Sequence, residues 1–388
     1  MGRFFCNKCG REFTEAYAPD KCPFCCSASA DFIRVKEDTK QTIPKYWEKE
    51  LDEKIARIRK LQTEAGPQSA SFGLITDIHW CDNAHHQAAL LEEILNRCMI
   101  PYFFNAGDII SGFGLCDKDF LFEELDNCRA AFKKIESKCL VVLGNHDMAY
   151  STLEAPNYYA ENLSHDEVCE YLFRSQTLYS DRVFGPDISC YYVDDVYHKM
   201  RYAVLNAHDV PSEEKNEAGL PIFNKFSTNI FSQAQLDWVA ESVLDVSDDE
   251  WTVTVCTHEN PASGEKIGGA KLLLGMLKAF KEHKSFEGCE EISELNVKLF
   301  SNVDFTNKGG NVAAWVSGHT HYDKMEIFEG ITCVTTLNDS IHKSAKTPFE
   351  KFRGTTTEHA FDIFTVDKRC RKVFVTRIGA GEDREFDY

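Results

Sequence analysis

Short apolar runs in this chain of 388 residues repeatedly end in residues that bind metal ions. Asp77-x-His79 follows GLIT, Gly107-Asp108 follows YFFNA, and Gly144-Asn145-His146-Asp147 follows LVVL. His258 follows VTVCT, and Gly318-His319-Thr320-His321 follows AAWVS. Carboxylates, imidazoles and one amide oxygen suit Mn, Fe, Zn or Ni better than the metals that thiolates select. One carboxylate shared by two ions would hold them ~3.5 to 4 Å apart, the separation used in two-metal hydrolysis, so the chemistry indicated is displacement at phosphorus. An isolated DxH or GD is common; the order of the set and its strand-end setting make it specific.

A second group is made of cysteines. Cys6-x2-Cys9-x12-Cys22-x2-Cys25 offers four thiolates from two turns, as a tetrahedral structural zinc site requires. The turns CNKCG and CPFC resemble zinc-ribbon or rubredoxin knuckles; iron in place of zinc, and two disulfides in an oxidising compartment, stay open as alternatives. Four protein ligands leave no position for catalysis, so this module has a structural role or docks a protein partner. It is only mildly basic, with Arg3, Lys8, Arg11, Lys21, Arg34 and Lys36 against Glu12, Glu15, Asp20 and Asp31, too little for a nucleic-acid surface.

The order DxH, GD, GNHD, H and GHTH resembles that of the calcineurin-like metallophosphoesterases, from about Phe72 to Thr336, and the likeness extends to Gln235-Leu236-x-Trp238 before the lone-histidine run. It implies an α/β fold of four layers, αββα. It also implies that Asp77, His79, Asp108 and His321 bind one divalent ion, that Asp108, Asn145, His258 and His319 bind the second, and that Asp108 bridges them. A hydroxide between the two ions would attack phosphorus in line, with His146 beside the leaving oxygen. Asp147 would orient His146 or support it from behind. His208, in VLNAHDVP, and His342 are candidate substrate contacts, with loop packing as the plainer alternative for each.

The elements that must carry these residues can be read from periodicity. Trp47, Leu51, Ile55, Ile58 and Leu61 recur at helical spacing after Pro44 and before Gly66-Pro67, predicting a lead-in helix. From Ser71 apolar runs at 72–76, 102–105, 140–143, 202–206, 252–256, 313–317 and 331–335 alternate with helical stretches at 87–97, 120–135, 166–174 and 233–244. That alternation predicts βαβ units, a sheet covered on both faces, and ligands gathered at the carboxyl edge of one sheet. Two excursions, 148–190 and 260–310 with a helix at 271–284, interrupt the pattern and are expected to shape the site. Residues 360–378 read as two strands around a basic turn. The expected organisation is a metal clip over 1–36, a helix and linker over 37–70, and a phosphoesterase domain over 71–388.

Composition removes other classes. With 43% hydrophobic and 27% charged residues the chain is an ordinary globular one, and a net charge of -19 repels a phosphate backbone, so binding to duplex nucleic acid is not expected. No run approaches the ~20 apolar residues of a membrane span. Sixteen cysteines, most outside the N-terminal group and within apolar runs, fit a reducing compartment, and a cytoplasmic location is expected. The leading function is a phosphodiesterase acting on a small or flexible substrate. The alternatives are an assembly protein, phage- or particle-associated, that keeps the metal sites for structure, and a nuclease.

Overall fold

The computed structural model describes residues 2–6, 12–15, 21–22, 28, 32–34, 42–79, 84–110, 118–148, 163–210, 228–341 and 349–388. At the N-terminus β1 (Gly2–Cys6), β2 (Glu12–Glu15) and β3 (Phe32–Arg34) form a small antiparallel sheet in the order β2-β1-β3. The lead-in helix α1 (Glu48–Ala65) buries Leu51, Ile55, Ile58 and Leu61, and Gly66 ends it. Then come β4 (Ala70–Ile75), α2 (Ala84–Arg97), β5 (Phe103–Asn105), α3 (Lys118–Phe132) and β6 (Cys139–Val141). The three strands pair in parallel, so all leave the sheet at the same edge.

The first excursion contains a single helical turn, α4 (His165–Val168), which runs into a π-helical stretch, and then β7 (Arg182–Phe184). β8 (Tyr191–Asp195), β9 (Met200–Val204), β10 (Asn229–Ile230), α5 (Gln233–Trp238) and β11 (Thr252–Cys256) follow. The second excursion holds β12 (Ile267–Gly268), α6 (Ala270–Glu282) and a hairpin of β13 (Ser285–Ile292) and β14 (Val297–Asp304). The chain finishes with β15 (Asn311–Ser317), β16 (Lys324–Phe328), β17 (Ile331–Thr335), β18 (Ala360–Asp367), β19 (Lys372–Gly379) and β20 (Arg384–Asp387).

These strands do not make one sheet. Six form the order β20-β19-β18-β4-β5-β6 and seven the order β16-β17-β15-β11-β9-β8-β7. The sheets face each other: Phe72 and Phe104 meet the Tyr202 ring at centroid distances of 5.5 and 6.0 Å. On the other side of the first sheet Phe103 stacks toward Phe132 of α3 at 6.2 Å, while Leu91 of α2 lies against Gly73. α5 and α6 share a second apolar core with Val253, Val255 and Trp315. The result is the four-layer αββα sandwich that the motif resemblance implied. The expectation of a single sheet with helices on both faces is thereby corrected: strands buried on both faces read as continuous apolar runs whichever neighbour covers them, so the pattern carries no sheet assignment.

Candidate metal centre

Each motif occupies the turn after a parallel strand, but the edge is built from two sheets. Asp77, Asp108 and Asn145 follow β4, β5 and β6, whereas His258 and His319 follow β11 and β15 of the facing sheet. Asp77, His79, Asp108, His319 and His321 all adopt positive φ, between 46° and 68°. A left-handed non-glycine residue costs of order 1 kcal/mol or more and persists only where surroundings over-determine it, and here five occur at the positions singled out for ion binding. Two glycines supply space rather than flexibility. A Cβ on Gly144 would collide with the Asp108 backbone nitrogen, and one on Gly318 with the Thr76 hydroxyl.

The donor atoms converge in two sets. Asp77, His79, Asp108 and His321 each bring one ligand atom within 4.8 Å of the others, and so do Asp108, His258 and His319; Asp108 belongs to both. His79 Nε2 and His321 Nε2 are 3.1 Å apart, and Asp77 Oδ1 is 3.0 Å from His321 Nε2. Asn145 Oδ1 lies 3.1 Å from both His258 Nε2 and His319 Nδ1, and Asp108 Oδ2 is 3.1 Å from His258 Nε2.

The remaining atoms of these side chains are engaged so as to aim the free ones inward. His258 Nδ1 donates to the Ala106 carbonyl at 2.6 Å and His79 Nδ1 to that of Ile110 at 3.3 Å, which turns both Nε2 atoms toward the centre. Asp77 Oδ2 accepts from Thr76 Oγ1 at 2.6 Å and from the His319 amide at 2.9 Å, and Asp108 Oδ1 accepts from the His146 amide at 2.8 Å. Thus one oxygen of each carboxylate is held and the other is presented.

Electrostatics tell the same story. Burial works to raise the Asp77 carboxyl, but the His321 ring and then His258 outweigh it and hold the group at about 2. Burial likewise opposes ionisation of Asp108, and the charges of His258 and His146 bring it well below the carboxylate range. Burial, reinforced by His146, pushes His79 far below the usual imidazole value, so that ring is a neutral donor. Burial disfavours a charge on His258, but Asp108 and Glu259 overcome it and raise that ring well above the usual imidazole value. Buried carboxylates, imidazoles and an amide oxygen converging with no lysine or arginine among them fit divalent ions in their chemistry.

His146 and Asp147 sit differently. The His146 side chain is 14% exposed, with Nε2 3.8 Å from Asp108 Oδ2 and its ring edge-on to His79 at 4.7 Å. Asp147 is fully buried and does not bond the His146 ring. Its Oδ1 accepts from the amides of Ile109 and Ile110 at 2.7 and 3.3 Å, and its Oδ2 from those of Asp108 and Gly144 at 3.0 and 2.9 Å. Burial and the neighbouring charge of Asp108 push its carboxyl up to about 7 against the pull of the Gly144 and Ile109 amides. It is a strut for the Asp108 loop and does not orient His146.

His208 is corrected as a substrate contact. It is wholly buried, with Nε2 3.2 Å from Glu259 Oε2, and has no surface to offer a ligand. Glu259 itself was missed by sequence reasoning: also fully buried, it lies 3.5 Å from His319 Nδ1 through its other oxygen, and His208 helps hold its carboxyl at about 2 against burial. The available signal was an acidic residue directly after His258, just past the end of an apolar strand. His342 lies outside the described residues, as do Cys9 and Cys25. Cys6 and Cys22 are both buried in the N-terminal module.

A four-layer sandwich whose facing sheets deliver carboxylate, imidazole and amide oxygen to one edge defines a class, the metal-dependent hydrolases. The chain belongs to the calcineurin-like phosphoesterases, whose family model matches residues 70–323, and it is a hydrolase acting on phosphoester bonds. The family implies two divalent ions at this centre. Among solved structures the fold is similar to that of a dimetal phosphatase from Danio rerio, at 16% identity and TM-score 0.50, covering 82% of this chain and 99% of that one. GAP50, the anchor in the inner membrane complex of Plasmodium, is similar at 12% identity and TM-score 0.40, covering 80% of this chain and 84% of that one. No curated protein matches the sequence. Among the described residues no helix is long and apolar enough to cross a membrane.

Proposed function

We propose that the chain is a phosphodiesterase for a small or flexible substrate, with Asp77, His79, Asp108 and His321 holding one ion and Asp108, Asn145, His258 and His319 the other. The observation that carries this reading is the membership of Asp108 in both donor sets, with one oxygen tied to the His146 amide and the other free to face both. Bound there, Mn, Fe, Zn or Ni would supply Lewis-acid activation of water and neutralise the phosphoryl oxygens. The protein's own part is orientation and proton handling. His146, with Nε2 3.8 Å from Asp108 Oδ2, donates to the leaving oxygen, and the Asp147 strut keeps the Asp108 turn in place as charge develops.

A net charge of -19 favours a substrate with few charges over a nucleic-acid strand. The same proposal divides the chain into a cysteine module over 1–36 that binds one structural zinc and serves a protein partner, a helical lead over 37–70, and the catalytic domain over 71–388. The buried thiols of Cys98, Cys128, Cys139, Cys256 and Cys333 support a reducing, cytoplasmic setting.

The experiment is hydrolysis of bis(p-nitrophenyl) phosphate and p-nitrophenyl phosphate by protein reloaded with each metal, beside Asp108→Asn and His146→Ala. Diester cleavage should exceed monoester cleavage, and Asp108→Asn should lose ions and turnover together. His146→Ala should keep both ions while losing ~10²-fold or more on substrates with poor leaving groups. A monoester preference overturns the diester assignment, and equal ion loss in both variants overturns the role of His146.

A further inference from the structure

A second cluster of metal-ligating side chains lies in the first excursion, outside the centre above. His165, Cys169 and Asp187 each bring one donor atom within 4.8 Å of the other two. We propose that these three residues form a further metal site, of the zinc class, that clips the excursion together beside the His146 turn.

The local sequence makes the cluster. Ser164 caps α4 through a reciprocal box: its hydroxyl accepts from the Glu167 amide at 3.2 Å while Glu167 Oε2 accepts from the Ser164 amide at 2.8 Å. That cap fixes where the helix begins, and so puts His165 and Cys169 four residues apart on one face. Asp187 arrives from the turn before β8, where its Oδ1 accepts from the Ser189 amide at 2.7 Å, leaving Oδ2 to face the ring. Pinning one carboxylate oxygen and presenting the other repeats the arrangement of Asp77 and Asp108.

The distances suit an ion. His165 Nε2 is 3.0 Å from Asp187 Oδ2 and 3.3 Å from Cys169 Sγ. Ligands on a tetrahedral zinc, with bonds of about 2.0 to 2.1 Å to N and O and about 2.3 Å to S, stand roughly 3.3 Å apart for N and O and roughly 3.6 Å for N and S. Outward shifts of a few tenths of an ångström would seat the metal. Hydrogen bonding alone serves the trio poorly, because one ring nitrogen faces both a carboxylate and a sulfur and has at most one proton to share between them. A divalent ion instead matches the charge of one thiolate and one carboxylate and uses the lone pair of a neutral imidazole.

The thiolate sets the chemical class. Sulfur selects zinc over hard cations such as Mg or Mn, whereas the centre at Asp108 contains no sulfur. Three protein ligands leave one position for water. The cluster's location gives the ion its role: the Leu163 amide bonds the Met148 carbonyl at 3.1 Å, so the capped helix starts directly against the His146–Met148 turn. Cys169 is buried, and the side chains of His165 and Asp187 are 19% and 38% exposed, so the metal could enter from solvent.

The test is zinc content and chelator competition on the full chain, compared with Cys169→Ser and Asp187→Asn, together with cobalt-substituted spectra. Both variants keep the Cys6 group and the Asp108 centre intact, so each should bind one equivalent less than the wild type. Failing full loss, affinity for that equivalent should fall by at least the ~10-fold that even outer-sphere partners are worth. Cys169→Ser should also remove part of the sulfur-to-cobalt charge-transfer absorption. Asp187→Asn, isosteric and partly exposed, decides the matter if Cys169→Ser does not fold. Unchanged zinc stoichiometry and affinity in folded Asp187→Asn would overturn the site and leave a hydrogen-bonded trio.

Discussion

Two buried clusters treat their carboxylates in opposite ways. Around Asp362 the cation is part of the chain: its Oδ1 accepts from Arg377 Nε at 2.8 Å, and its Oδ2 is met by Arg384 and by Arg377 Nη2. Asp323 Oδ1 accepts from Arg384 Nη1 at 2.8 Å and also from Arg377 Nη2. Burial opposes the Asp362 charge, and Arg377 overcomes it to hold the carboxyl at about 2. Asp77 reaches the same value, but by facing imidazoles whose own charge is conditional. The first cluster is complete once the chain folds. The second contains no lysine or arginine, and the family implies that two divalent ions complete it.

The largest effect expected from that contrast is on metal removal. A chelator should abolish phosphoester hydrolysis and lower the melting midpoint, because an ion that binds only the folded chain contributes about 4 kcal/mol at a thousandfold excess over its Kd. Readdition should restore both, and a midpoint unmoved by chelation would break the comparison. Next, Arg377→Met removes the built-in cation and leaves Asp362 buried beside Arg384 alone. The expected cost is about 3 to 5 kcal/mol in urea unfolding. Ion content per folded molecule should not change; loss of active-site ions in this variant would mean that the two clusters are one.

The smallest effect concerns His359, buried with its Nδ1 3.4 Å from Asp339 Oδ2 and its Nε2 3.3 Å from Glu358 Oε1. Burial disfavours its charge, but Asp339 and then Glu358 win and raise it from 6.5 to about 9. A pKa raised on folding contributes stability that is fully present below the unfolded value and lost as pH rises through the folded one. The wild-type midpoint should therefore fall between about pH 6.5 and 9, by on the order of 1 to 3 kcal/mol of stability. His359→Gln should flatten that decline in a thermal titration. An unchanged slope in the variant would assign the decline to other groups.

Much of the centre could be read from sequence because ion binding demands particular residue types at strand ends, and Asp77, Asp108, Asn145, His258 and His319 all meet that demand. The strands at 252–256 and 331–335 were legible to the residue, since a fully buried strand is a bounded apolar run. What was not legible is relational. Nothing in VTVCT or AAWVS says that His258 and His319 come from a different sheet than Asp77. Nothing around Asp147 says that four backbone amides claim its oxygens. His208 shows the converse: a histidine after a strand near the site looked available, but the Glu259 carboxylate that takes it inward lies far along the chain. The hairpin at 285–304 escaped because its alternation of exposed with half-buried or buried residues is carried by Phe286, Gly288, Leu299 and Ser301, a weak apolar signal.

The seam between the sheets has one more consequence. Because Asp77, Asp108 and Asn145 ride on one sheet and His258 and His319 on the other, the centre acts as a caliper for the gap between them. Gly318 touching Thr76 is where its jaws close. If the proposed ion sites are occupied, any event that slides one sheet against the other by a few tenths of an ångström would retune both at once through Asp108.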